Sequence, residues 1–127
     1  MNGIAAPSHG WRLFQALAFV AVACIAGQFL LAGMAIFGAG DVWGQHGGLG
    51  GVTGAVILAM TATVLLTPAS IALRRKTAGL LVIYVVQILL VVAAQQGGLP
   101  LVGALHPLNG VVMALLAVNI LRQASGH

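Results

Sequence analysis

Apolar residues run almost unbroken through four stretches of this chain, roughly 13–37, 46–73, 79–95 and 106–122, and polar residues gather between them. A helix rises about 1.5 Å per residue, so about 20 apolar residues cross a hydrocarbon core of about 30 Å. The pattern predicts an all-α protein, a transmembrane four-helix up-down bundle forming a single four-span membrane domain over residues 1–127. Short connections make consecutive helices antiparallel neighbours. Residues 1–10, with Pro7, Ser8 and His9, carry no apolar period and are expected as a loose tail, as are Ser125, Gly126 and His127. Trp11 and Arg12 mark a membrane interface, where aromatic rings and basic groups anchor.

A repeat divides the four spans into two helical hairpins. Gln28 precedes His46 by 18 positions, and Gln87 precedes His106 by 19. Apolar triplets follow both glutamines, Phe29-Leu30-Leu31 and Ile88-Leu89-Leu90, and a glycine stands four residues after each histidine, Gly50 and Gly110. The offset between halves is 59 positions for the glutamines and 60 for the histidines. A pseudo-two-fold axis along the membrane normal is therefore expected, with Gln28 and Gln87 facing the interior at one depth. An amide at that depth needs a partner, because lipid supplies none. The simplest partner is the other glutamine; a ligand pocket is the alternative.

Composition confirms the environment. Of 127 residues, 61% are hydrophobic and 5% charged, against about 25% charged in a soluble domain. The net charge of +4 is not a nucleic-acid footprint, because the basic residues Arg12, Arg74, Arg75, Lys76 and Arg122 all flank apolar runs. Arg74-Arg75-Lys76 read as a tight basic loop between spans two and three, and four spans bring all five to one side. The positive-inside rule then predicts both termini in the cytoplasm, N-in and C-in. Cys24 is the sole cysteine, so no internal disulfide forms. Asp41, the sole acidic residue, is placed to cap the second helix or to hold an imidazole N–H.

The two histidines carry the candidate chemistry. Spans two and four both begin at the outer side, which puts His46 and His106 at one depth on diagonal helices. With adjacent axes about 8–10 Å apart, the diagonal of a square bundle is roughly 11–14 Å. That gap takes a flat macrocycle with an imidazole on each face, and haem iron accepts histidine axial ligands. Gly50 and Gly110 lie one turn deeper on the same faces and leave room for a porphyrin edge. Gly47, Gly48, Gly51 and Gly54 add to a glycine-rich start of span two, against which another helix or a flat cofactor packs. The site set is thus His46 and His106 as metal ligands, with Gly50, Gly110, Gln28 and Gln87 around the cofactor. Two histidines with Asp41 fall short of a zinc set. Thr53, Thr61, Thr63, Thr67 and Ser70 are expected to bond back to their own helix. Pro68 is expected to kink the inner end of span two. No nucleophile–base pair, phosphate loop or carboxylate pair is present, so an independent enzyme is not expected.

The pattern Gln28-Phe29-Leu30-Leu31-Ala32-Gly33, His46 before a glycine-rich helix, Gln87, then Leu105-His106-Pro107-Leu108-Asn109 resembles a bacterial family of small four-span membrane proteins of unknown function. The resemblance covers most of the chain and implies a multi-pass protein of the bacterial inner membrane. The architecture also resembles the haem-binding four-helix modules of haem A synthase and of cytochrome b-type oxidoreductases. No acidic residue adjoins either histidine, which departs from haem A synthase. The expected function is a small integral membrane protein holding haem b near the outer face for electron transfer. The alternative is a non-redox accessory or structural subunit. Expected partners are the lipid bilayer and one of three others: a larger respiratory or photosynthetic membrane complex, a second copy of the chain, or a quinone. Nucleic acid is not among them.

Overall fold

The computed structural model describes residues 8–38 and 40–126. Five helices follow in order: α1 (His9–Ile36), α2 (Trp43–Leu66), α3 (Ile71–Gln95), the single turn α4 (Pro100–Gly103) and α5 (Leu105–Ser125). Helices α1, α2, α3 and the continuous pair α4–α5 are each long and apolar enough to cross a membrane, the pattern of a multi-pass membrane protein. They form an up-down bundle. Neighbours around it are α1 with α2, α2 with α3, α3 with α5 and α5 with α1, so α2 and α5 face each other across a diagonal.

Each long helix turns one stripe inward at spacings of three and four, the helical period. The stripes are Phe14, Ala18, Ala21 and Ile25 on α1, Ile57, Met60 and Val64 on α2, Leu73, Thr77 and Leu80 on α3, and Met113, Ala117, Ile120 and Ala124 on α5. Outward positions are apolar as well: Phe19, Leu30, Leu58, Leu65, Val82, Leu89 and Leu115 are all exposed. A surface of this kind is stable only in lipid. Packing is closest in the half of the bundle that carries the basic residues. There Gln15 Nε2 donates to Ala124 O at 2.8 Å and Lys76 Nζ to Asn119 Oδ1 at 2.7 Å, tying α1 and α3 to the end of α5.

Several boundaries differ from the sequence reading. Helix α1 begins at His9, because Ser8 Oγ accepts from Trp11 N at 3.2 Å and caps it. Only residues 1–7 and His127 of the expected tails lie outside the described residues, and Ser125 is helical. Pro68 does not kink a long second span; it ends one. The residue before a proline avoids the helical region, and Thr67 is extended at φ −109°, ψ 152°. Ser70 then caps α3 through Leu73 N at 3.2 Å instead of bonding back. Arg74, Arg75 and Lys76 consequently lie in the first turns of α3 and not in a loop. Thr53, Thr61, Thr63, Thr67 and Thr77 do bond back to carbonyls four residues earlier. At the opposite end, Gly38 (φ +79°) and Gly98 (φ +63°) follow α1 and α3 in the left-handed conformation that closes a helix and favours glycine.

Candidate functional site

The half of the bundle opposite the basic residues is not closed. A cavity of about 400 Å³ lies between all four long helices. Its walls repeat with the sequence. From α1 and α3 the lining pairs are Ile25 with Tyr84, Gln28 with Gln87, Phe29 with Ile88 and Ala32 with Val91, each 59 positions apart. From α2 and α5 they are His46 with His106, Gly47 with Pro107, Gly50 with Gly110 and Thr53 with Met113, each 60 apart. The cavity therefore sits on the pseudo-two-fold axis, and all six expected site residues line it.

The histidines reach further inward than the helix axes alone predict. Their ring centroids are 6.2 Å apart with planes inclined by 59°. Trp43, the first residue of α2, packs edge-on against His46 with centroids 5.6 Å apart. Both rings are half-buried. Each is held by the glutamine that precedes it in sequence. His46 Nδ1 donates to the Gln28 backbone carbonyl at 3.1 Å, and His106 Nδ1 donates to that of Gln87 at 3.3 Å. A carbonyl is only an acceptor, so Nδ1 carries the hydrogen in both rings, and each Nε2 is left as an acceptor.

The expected Gln28–Gln87 bond does not form; each amide serves its own histidine. Gln28 Nε2 donates to His46 O at 3.0 Å. Gln87 Nε2 lies 3.2 Å from His106 Nε2, and Gln87 Oε1 accepts from Asn109 Nδ2 at 2.6 Å. Asn109 Nδ2 also donates to Ile83 O at 3.1 Å. The Ile83 carbonyl fixes which way Asn109 points, Asn109 fixes Gln87, and Gln87 donates to His106 Nε2. Asp41 does neither of the things expected of it. Helix α2 has Val42 at its cap with no side-chain bond, and backbone carbonyls hold both imidazoles.

The glycines divide into two groups. A Cβ on Gly50 would lie 3.6 Å from Gln28 Nε2, and one on Gly110 would lie 3.3 Å from Phe29 Cζ and 3.5 Å from Gln87 Nε2. The absence of a Cβ at Gly110 lets Phe29 approach closely, whereas the Gln28 contact at Gly50 is of ordinary length. A Cβ on Gly54 would run into the Tyr84 ring, whose hydroxyl donates to Gly50 O at 3.1 Å. Gly47, Gly48 and Gly51 have nothing within 4 Å of a Cβ. Close packing of a bulky neighbour thus accounts for Gly54 and Gly110, whereas a side chain on Gly50 would be in ordinary contact and open space adjoins Gly47, Gly48 and Gly51.

Tyr84 and Asn109 are the site residues that sequence reasoning passed over. The signal was present: Tyr84 stands three residues before Gln87 and Asn109 three after His106, a spacing that shares a helix face. Among the described residues no group of three metal-ligating side chains occurs, so the pair of imidazoles is the donor set available here.

Residues 28–94, 67 of the 127 positions, match a family of unknown function (DUF6220). The matched stretch contains Gln28, His46, Gly50, Tyr84 and Gln87, and ends before His106 and Gly110. No curated protein and no solved structure matches the chain.

Proposed function

We propose, for a chain that belongs to the family of unknown function DUF6220, that it is a small integral membrane b-type haem protein for electron transfer, with His46 and His106 as the two axial ligands. One observation carries the reading. Two imidazoles from diagonal helices converge to 6.2 Å over a shared cavity, each with Nδ1 committed to a glutamine carbonyl. Ligating histidines in metalloproteins characteristically donate their other N–H to a carbonyl or carboxylate in this way.

The residues fit such a group on three counts. His46 and His106 would hold the group, and their ring centroids, 6.2 Å apart, are close enough for both imidazoles to reach one ion. His46 Nε2 has no hydrogen-bond partner among the described residues. The cavity lies between all four long helices, and its walls are mostly apolar, as the faces of a porphyrin require. Ligation by His106 requires Gln87 to turn its amide away from Nε2. No Lys or Arg lies at this end, so the carboxylates of a haem would be met by water rather than by an ion pair. When bound, haem supplies one-electron redox chemistry whose potential the axial ligands and the burial set. The protein's part is to fix the ring tautomers through Gln28 and Gln87 and to keep water off with Phe29, Ile88 and Val91.

This reading places the site near the outer face, with both termini and all five basic residues on the cytoplasmic side of a bacterial inner membrane. A membrane quinone, a larger respiratory or photosynthetic complex, or a second copy of the chain would exchange the electron. The test is an absorption spectrum of the protein purified from haem-replete cells. The expected result is the sharp reduced α-band of a six-coordinate low-spin centre, lost or made five-coordinate when either His46 or His106 becomes Ala. A folded, colourless protein overturns the reading, and the non-redox accessory subunit then takes its place.

A further inference from the structure

We infer that the two histidines are unequal ligands: His46 is the permanent one and His106 an exchangeable one, which opens the site to a small neutral π-acceptor such as carbon monoxide, nitric oxide or dioxygen. The inference rests on the haem reading above and concerns this chain's own residues around that group.

The inequality comes from one break in the repeat. Leu49 on α2 stands where Asn109 stands on α5, 60 positions later. The Leu49 side chain has no polar atom, so the Gln28 amide turns to the His46 backbone carbonyl and leaves His46 Nε2 without a partner among the described residues. Asn109 spends one hydrogen on Ile83 O and the other on Gln87 Oε1, at 3.1 and 2.6 Å. That pins the Gln87 amide with its Nε2 3.2 Å from His106 Nε2. Ligation by His46 therefore breaks no protein hydrogen bond. Ligation by His106 breaks at least one, and the Asn109–Gln87–His106 chain offers the ring a stable place to return to. Interhelical bonds in membranes bias an equilibrium by roughly 3-fold on average and about 20-fold at most. A bias of that size makes the His106 bond the weaker of two without abolishing it.

The experiment uses the full chain in detergent micelles, from haem-replete cells, with carbon monoxide as the probe. His106→Ala is expected to keep its haem as a five-coordinate ferrous centre that binds carbon monoxide at once, and His46→Ala to lose its haem. Asn109→Leu copies the first half of the repeat onto the second. It is expected to keep haem, raise the six-coordinate fraction and slow carbon monoxide binding by roughly 3- to 20-fold. Equal haem loss in the two histidine variants, or wild-type carbon monoxide kinetics in Asn109→Leu, overturns the inference while leaving a two-histidine haem in place. A wild-type protein without haem overturns both. Asn109→Leu keeps the test decisive if an alanine variant does not fold.

Discussion

A methyl group on Gly54 has nowhere to go. Its Cβ would run into the Tyr84 ring, which crosses from α3 onto the backbone of α2 and donates its hydroxyl to Gly50 O at 3.1 Å. The contact forms part of the cavity wall and holds α2 against α3 just below the histidines. Overpacking at such a point typically costs about 1–3 kcal/mol, whereas one interhelical hydrogen bond in a membrane averages about 0.6 kcal/mol. Gly54→Ala should accordingly destabilise the bundle several times more than Tyr84→Phe. Thermal unfolding of the two variants in the same micelle measures this, and a Gly54→Ala protein as stable as wild type would show that the ring does not lie there. The sequence announces glycine here without naming its occupant. Five glycines within eight positions, from Gly47 to Gly54, look alike in one dimension. Whether each meets a tyrosine, an amide or open space depends on which way α2 is rotated.

The connection between α2 and α3 is where element boundaries were hardest to read. Apolar residues continue from Val64 to Leu73 with only Thr67, Pro68 and Ser70 among them, so hydropathy alone offers no stop. The break is made by Pro68, which forces Thr67 out of the helix, and by Ser70, which starts the next one. Leu73 then reaches the core and is 1% exposed, which fixes where α3 must begin. Arg74 turns back, and its Nη2 donates to Thr67 O at 2.9 Å, satisfying a carbonyl that the end of α2 leaves open. Replacing Ser70 with Ala removes the cap and should cost about 1 kcal/mol. The same loss should appear as faster hydrogen exchange at Leu73 N than at Leu80 N. Unchanged exchange at Leu73 would mean that packing of its side chain alone sets the start of α3.

At the scale of the molecule, the bundle is polar in charge and in packing along one axis. All five basic residues lie at the closed end, where Lys76 bridges to Asn119 and Gln123, and Asp41 lies at the open end with the histidines. From the positive-inside rule we propose that the cavity faces the outer side. A cysteine introduced at the exposed positions Gln96 or Arg75 tests this with a membrane-impermeant thiol reagent. Gln96→Cys should label in intact cells and Arg75→Cys only after the membrane is opened; the reverse pattern would invert the orientation.

The number of membrane-length helices, the charge asymmetry and the paired Gln–His repeat were all legible in the sequence, because each accumulates over many residues and tolerates an error of one or two. The offsets of 59 and 60 also anticipated a cavity on a pseudo-two-fold axis, and its lining follows them. Only the tertiary structure decided which atoms meet. Each residue along a helix turns the side chain by about 100° and moves it by about 1.5 Å, and a hydrogen bond tolerates a few tenths of an ångström. That is why the two glutamines, matched in depth, do not bond each other but each hold a histidine. It is also why Asn109, in the sequence only one more polar residue of the fourth span, becomes the residue that makes the two halves of the site differ.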